Sequence, residues 1–212
     1  MKHEEIAFRT KKKLADSLKK QMQKKPFSKI TVKDITEDCD VNRNTFYYHF
    51  EDIYALLRWM FDNEAIHIVQ SFNLLVDYDE AIAFVIDYIE KNDHIISCAL
   101  DSIGQRELKR FFHTDFFDIT NSLLDAAQRQ SGISIDPEYK SYLATFYTDA
   151  LAGMLIEWIQ RRDSADKEQL VAYLTSTVKD SLYGIFQKSR YCRPSDENSV
   201  MPAHKGKTEE SD

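Results

Sequence analysis

An all-α chain of about nine helices is the fold class that this sequence predicts, and three observations carry it. Residues 1 to 103 contain no glycine and a single proline, Pro26, so little there interrupts a run of helices joined by short polar turns. Apolar residues recur at helical spacing in one stretch after another. Residues able to cap a helix start, Thr31, Asn42 and Asp136, stand ahead of such stretches. The organisation expected is an N-terminal three-helix unit containing a helix-turn-helix (1–51) and a larger helical domain (52–188). A polar tail (189–212) with Pro194, Pro202 and Gly206 is read as disordered. With 212 residues and 43% hydrophobic content the chain can bury a core.

The first helix is predicted over Glu5 to Lys24, with Ile6, Leu14, Leu18 and Met22 on one stripe and lysines opposite. It stops before Pro26, whose ring disfavours helical geometry in the preceding residue. Thr31 and Asp34 form a capping-box-like start to a second helix, although the short Asp is a weaker partner than Glu or Gln. That helix ends near Cys39, and a turn through Asp40 and Val41 leads to Asn42, the N-cap of a third. Phe46 and Phe50 fall about 40° apart at 100° per residue and form one inward stripe. Asn44 and Tyr48 fall opposite, with Arg43 and Tyr47 on one flank and Thr45 and His49 on the other.

A fourth helix, Asp52 to Phe72, is long enough to belong to both domains. A helix of about twenty residues spans roughly 30 Å, so it can brace the N-terminal unit at one end and reach the larger body at the other. Further helices are expected over Asp77 to Lys91, Asp93 to Ser102 and Thr114 to Gln130, with another turn or two over Gln105 to Phe112. Pro137, at the first position after Asp136, opens a helix to about Arg162 that is apolar nearly all round, which requires burial on both sides. Its Ala152 and Gly153 would let another helix approach closely. The last helix, Lys167 to Gln187, repeats an apolar stripe through Leu170, Leu174, Val178 and Leu182. Two such helices from each of two copies would make a four-helix bundle.

The run from Lys29 to Phe50, with its capped helix, tight turn and Asn-Arg-Asn-Thr-Phe-Tyr-Tyr-His-Phe, resembles the DNA-binding domain of the TetR family of bacterial transcriptional regulators. The resemblance implies that Thr31 and Lys33 meet the phosphate backbone and that Arg43 and Asn44 read bases, Arg43 suiting guanine and Asn44 adenine. It places Thr45 and His49 on phosphates, and Tyr47 and Tyr48 on phosphate, base edges or thymine methyls. Two positions depart from the pattern: Ile53 stands where a lysine is usual, and Asp40 where the turn commonly has glycine. Backbone contacts add strength without sequence information, so these departures bear on affinity. The segment Phe146 to Trp158 more loosely resembles a TetR subgroup that includes regulators of the dihydroxyacetone-kinase type.

Charge is distributed in agreement. Residues 1 to 50 hold 12 Lys or Arg against 7 Asp or Glu, a balance of +5, which leaves −12 on residues 51 to 212 out of the total of −7. A basic end on an acidic body suits a chain that presents only that end to a polyanion. The N-terminus has no apolar stretch of a signal peptide and no segment reads as membrane-spanning, so the cytoplasm is the expected location. Cys39, Cys98 and Cys192 are widely spaced, which argues against a disulfide framework or a zinc site. No Gly-rich phosphate loop, metal-ligand spacing or nucleophile–base pair points to an enzyme or a cofactor; His94 and Cys98 share i,i+4 spacing, a pairing that arises easily by chance.

The function expected is therefore that of a homodimer, joined through the last two helices, that binds a near-palindromic double-stranded operator as a repressor and is released by a small-molecule effector. The alternative is a co-activator of the same fold controlled by a protein partner. Trp59, Tyr88, His94, Phe117, Tyr147 and Trp158 are the candidates for an effector pocket, although aromatics at helical spacing more often form core.

Overall fold

The computed structural model describes residues 2–73, 77–161 and 166–194. Within them the chain forms α1 (Lys2–Met22), a 3-10 turn (Phe27–Lys29), α2 (Val32–Asp38), α3 (Arg43–His49) and α4 (Ile53–Phe61). A π turn (Asp62–Ile66) leads directly into α5 (His67–Ser71), followed by α6 (Tyr78–Lys91), α7 (Asp93–Ile103) and α8 (Gln105–Ser131). Strand β1 (Ile133–Ile135), α9 (Pro137–Arg161), α10 (Lys167–Lys188) and β2 (Cys192–Pro194) complete the described residues. No helix among them is long and apolar enough to cross a membrane.

Three expectations need correction. The helix expected over Asp52 to Phe72 carries the π turn, in which the His67 N–H donates to the Asp62 carbonyl, and this divides it into α4 and α5. The stretches expected to be separate at Gln105–Phe112 and Thr114–Gln130 form one helix, α8, because no glycine or proline separates them. The tail expected to be disordered from 189 instead forms β2, which pairs antiparallel with β1, Ile135 opposite Cys192. Buried Ile135 and half-buried Cys192 join the cluster formed by Leu124, Leu143, Ala144 and Tyr147, which gives this short pair an apolar side to rest on. The end expected near Arg162 and the tail from 195 onward lie outside the described residues.

The main core runs from Leu14, Leu18 and Met22 of α1 through Ile35, Phe46, Phe50, Leu56, Leu57 and Met60 to Ile86, Ile96, Trp158 and Ile159. Ile6, expected on the buried stripe of α1, is 54% exposed, because that end of α1 extends past the helices that cover Leu14 to Met22. The C-terminal part of α1 and the turn after it are fastened to α2. Ser17 Oγ donates to the Ile35 carbonyl at 3.0 Å, Lys20 pairs with Asp38 at 3.3 Å, and Lys25 pairs with Asp34 at 2.7 Å. α7 adds a brace through His94 Nε2, 2.9 Å from the Met22 carbonyl.

The start of α2 shows how a short helix is held. The Asp34 N–H donates to Thr31 Oγ1 at 3.2 Å while Asp34 Oδ2 accepts from the Thr31 N–H at 2.7 Å, a reciprocal box despite the short side chain. The Lys25 ammonium, then the Thr31 hydroxyl and N–H, hold the Asp34 carboxyl down at about 2. A depressed carboxylate stabilises the fold above its unfolded value near 3.8, and this contribution is lost as pH falls toward 2. Asp34→Ala is expected to cost about 1 kcal/mol at neutral pH, the pair being partly solvated. In thermal unfolding the gap between variant and parent should close as pH falls from about 4 toward 2.

Candidate nucleic-acid interface

α3 is seven residues long and depends on its ends. Asn42 caps it, its Oδ1 accepting from the Asn44 N–H at 2.7 Å, and the Phe50 N–H closes the far end on the Phe46 carbonyl at 2.9 Å. Phe46 is fully buried and Phe50 nearly so, 6.0 Å apart between ring centres. Burial of this stripe sets the rotation of the helix, so the remaining side chains must face out.

Arg43, Asn44, Tyr47 and Tyr48 are exposed, Tyr48 at 83%, and Thr45 and His49 are half-buried on the flank. Thr31 of the cap is exposed, and Lys33 of α2 keeps its ammonium on the outside. The Arg43 guanidinium lies 5.7 Å from the Tyr47 ring centre and donates to its hydroxyl at 3.3 Å, which positions both groups before any contact is made. The Tyr48 ring meets the edge of His49 at 4.9 Å. Desolvation, with the nearby Lys11 ammonium, lowers the His49 imidazole below its ordinary range, so its neutral form dominates at neutral pH.

Asp40, between α2 and α3, adopts φ 47°, the left-handed region that favours glycine. The bend is needed to swing α3 across α2, and Asp is among the few other residues that tolerate it. Ile53, where the resemblance leads one to expect lysine, is half-buried and packs on the main core. Asp52 caps α4, accepting from the Ala55 N–H at 2.8 Å.

Behind the reader, α4 to α10 surround a cavity of about 200 Å³. Of the six candidates for an effector pocket, Tyr88 and Tyr147 line it. The other four lie elsewhere. Trp59 packs edge-on against Phe8 at 5.7 Å and Phe50 at 5.9 Å, with Lys11 5.8 Å from its ring, on the reader side. His94 is bound to the end of α1, Phe117 stacks on His113 at 6.3 Å, and Trp158 is buried in the main core. Helical periodicity identifies the inward face of a helix but not the neighbour that face meets. The walls are largely aliphatic, with Ile66, Val85, Leu123, Leu155 and Ile156. Apart from Tyr88 and Tyr147, the sequence shows these positions only as ordinary apolar periodicity.

Comparison with known proteins gives independent findings. The family model described as bacterial regulatory proteins, tetR family, matches residues 14–60, and a model described as transcriptional regulator C-terminal region, of TetR type, matches residues 77–180. The chain is 22% identical over 172 residues to the HTH-type dhaKLM operon transcriptional activator DhaS of Lactococcus lactis subsp. lactis (strain IL1403), covering 80% of this chain and 91% of that protein. The solved structure of a dihydroxyacetone kinase operon activator, DhaS, superposes with a TM-score of 0.65 at 19% identity, covering 82% of this chain and 96% of the other.

Proposed function

Because the chain belongs to the TetR family of bacterial transcriptional regulators, which bind DNA and are not enzymes, we propose that it acts in the cytoplasm as a homodimer on a near-palindromic operator. One α3 enters each of two successive major grooves, about 34–36 Å apart. The single observation that carries this reading is the outward surface of α3. Arg43, Asn44, Tyr47 and Tyr48 are exposed together on one short capped helix, which offers guanidinium, amide and phenol groups with no carboxylate among them. Arg43 and Asn44 read base edges, Tyr47 and Tyr48 bases or phosphates, and Thr31, Lys33, Thr45 and His49 hold the backbone.

The dimer is supported by the outer faces of α9 and α10. Tyr142, Phe146 and Met154 of α9 and Tyr173 and Tyr183 of α10 are 45–69% exposed, an apolar surface that one chain leaves uncovered. Gly153 and Gly184 stand inside these helices, and a Cβ added at either would meet nothing within 4 Å. An interior helix glycine is unfavourable by roughly 0.5–1 kcal/mol relative to alanine and gains nothing inside this chain, so its use is close approach by a second copy. An effector in the cavity would act by favouring one spacing of the two readers over another.

Repression released by the effector is the reading that the uncovered DNA surface and the cavity support. A second reading, co-activation under a protein partner, is favoured by the activator named among the relatives. Selection of duplexes from a random pool by the full chain tests the common part. Two inverted half-sites about 10 base pairs apart, centre to centre, are expected to be enriched, and enrichment of a lone half-site, or of none, refutes the proposal. Transcription in vitro from a promoter carrying the selected site then gives the sign: less transcript on adding the protein means repression, more means activation.

A further inference from the structure

The cavity wall and the reader meet at one carboxylate. Glu64 lies within the π turn, and both its oxygens take Lys19 Nζ of α1 at 2.5 Å. Its Oε2 also accepts from the Tyr88 hydroxyl of α6 at 3.0 Å. The Tyr88 ring lines the cavity and packs edge-on against Phe61, another lining residue, at 6.4 Å between centres. Burial, followed by the Glu64 charge, holds the Tyr88 phenol far above its ordinary range, so it remains a donor. One phenol thus has its ring in the cavity and its hydroxyl on the π-turn carboxylate.

Besides Tyr78, which also lines a neighbouring pocket, the other polar side chains on the wall are already engaged with protein partners. Tyr147 shares a hydrogen bond with Ser181 at 2.9 Å, Thr120 donates to the Phe116 carbonyl at 2.8 Å, and Lys109 pairs with Asp149 at 3.0 Å. With Tyr88 committed to Glu64, a charged or strongly polar guest would lose its hydration and find these groups engaged. A 150 Å³ apolar cavity holds benzene, so about 200 Å³ suits a guest on the order of ten non-hydrogen atoms.

We propose that the cavity takes an uncharged, largely apolar molecule and that the Tyr88–Glu64–Lys19 triad carries its presence to α1 and so to the reader. The inference rests on the effector reading given above and names both the class of effector and the residues that report it. A guest that turns the Tyr88 ring pulls its hydroxyl from Glu64 at the π turn, a helical irregularity with the freedom to rearrange. Glu64 then holds Lys19 alone and α1 shifts. α2 follows through Ser17, Lys20 and Lys25, and α3 follows α2. Glu64 and Lys19 are positioning residues; neither lines the cavity.

The test needs no DNA, so its failure is distinct from failure of operator binding. 1-Octanol and octanoate, which share a chain length and differ in charge, are titrated calorimetrically into the full chain at pH 8. Octanol is expected to bind, and octanoate to bind more weakly by about tenfold or more. Hydrogen exchange of α1 amides is then measured with and without octanol, where a change of about twofold or more is expected in the parent. Lys19→Met and Glu64→Gln should bind octanol as the parent does yet lose that change. A merely structural ion pair would shift exchange equally in the free and bound states and leave the octanol-dependent difference intact. Equal binding of octanoate, no binding of octanol, no octanol-dependent change in the parent, or an undiminished change in both variants each overturns the proposal.

Discussion

Tyr48→Ala is expected to weaken binding to the selected operator by about 1–3 kcal/mol, roughly ten- to a hundredfold, while leaving unfolding of the free protein unchanged. The expectation follows from exposure. Tyr48 is 83% exposed, and among the described residues its ring contact is with its neighbour His49, so truncation removes almost no packing from the unbound chain. An aromatic hydroxyl in that position has no structural reason to be there, and a solvated helix would more commonly carry Glu or Lys. Asn44→Ala should give a loss of similar size concentrated at one base position, since an amide paired with adenine discriminates that base. Lys33→Ala is the contrasting variant: its ammonium lies on the outside of α2, 3.7 Å from Glu37. Its removal should weaken all duplexes about equally and reduce the slope of log affinity against log salt by about one. Electrophoretic or anisotropy titrations on the selected site, its single-base variants and unrelated DNA would read all three. If Tyr48→Ala bound the selected site as the parent does, α3 would not be the reading element.

The reader is largely legible in the sequence because its rotation is dictated locally. Phe46 and Phe50 are separated by one turn, Asn42 can cap only a helix that starts at Arg43, and the capping pair Thr31 and Asp34 is three residues apart. Each of these depends on neighbours within a turn of helix, and the 100° step is sufficient to place Asn44 and Tyr48 outward. The effector pocket is far less legible, since it is defined by which helices become neighbours. Trp59 and Trp158 are as apolar and as periodic as Tyr88 and Tyr147, yet Trp59 packs toward α1 and Trp158 into the core. The π turn leaves no local mark either. Asp62 to Ile66 contains no proline or glycine, and the extra residue in that turn is stabilised by tertiary contacts, Glu64 to Lys19 and Tyr88. The strand pair is hidden for a similar cause: Ile133 to Ile135 is too short for alternation to show, and its partner lies 57 or more residues away.

The largest effect on assembly should come from filling the two glycines. Gly153 follows Tyr142 by eleven residues in α9, and Gly184 follows Tyr173 by eleven in α10. Eleven residues are about three turns, roughly 16 Å, so in each helix an exposed tyrosine and a bare patch of backbone share one face. Across a two-fold axis such a face can meet itself, each aromatic ring settling over the partner's glycine. Within one chain Gly153→Leu and Gly184→Leu should be harmless, since the added Cβ has open space and leucine is the better helix former by about 0.8 kcal/mol. Between two chains the same leucines stand where a ring must approach. Overpacking costs about 1–3 kcal/mol at each site, and the symmetry presents each of the two substitutions twice, so the dimer should weaken by about 4–12 kcal/mol. Sedimentation equilibrium is expected to show the double variant as a monomer at concentrations where the parent is a dimer, with circular dichroism reporting unchanged helix content. Its affinity for the two-half-site operator should fall to that for a single half-site, because the second reader no longer arrives with the first. A double variant that dimerised as tightly as the parent would place the subunit interface on some other surface, and the two uncovered faces of α9 and α10 would need another partner.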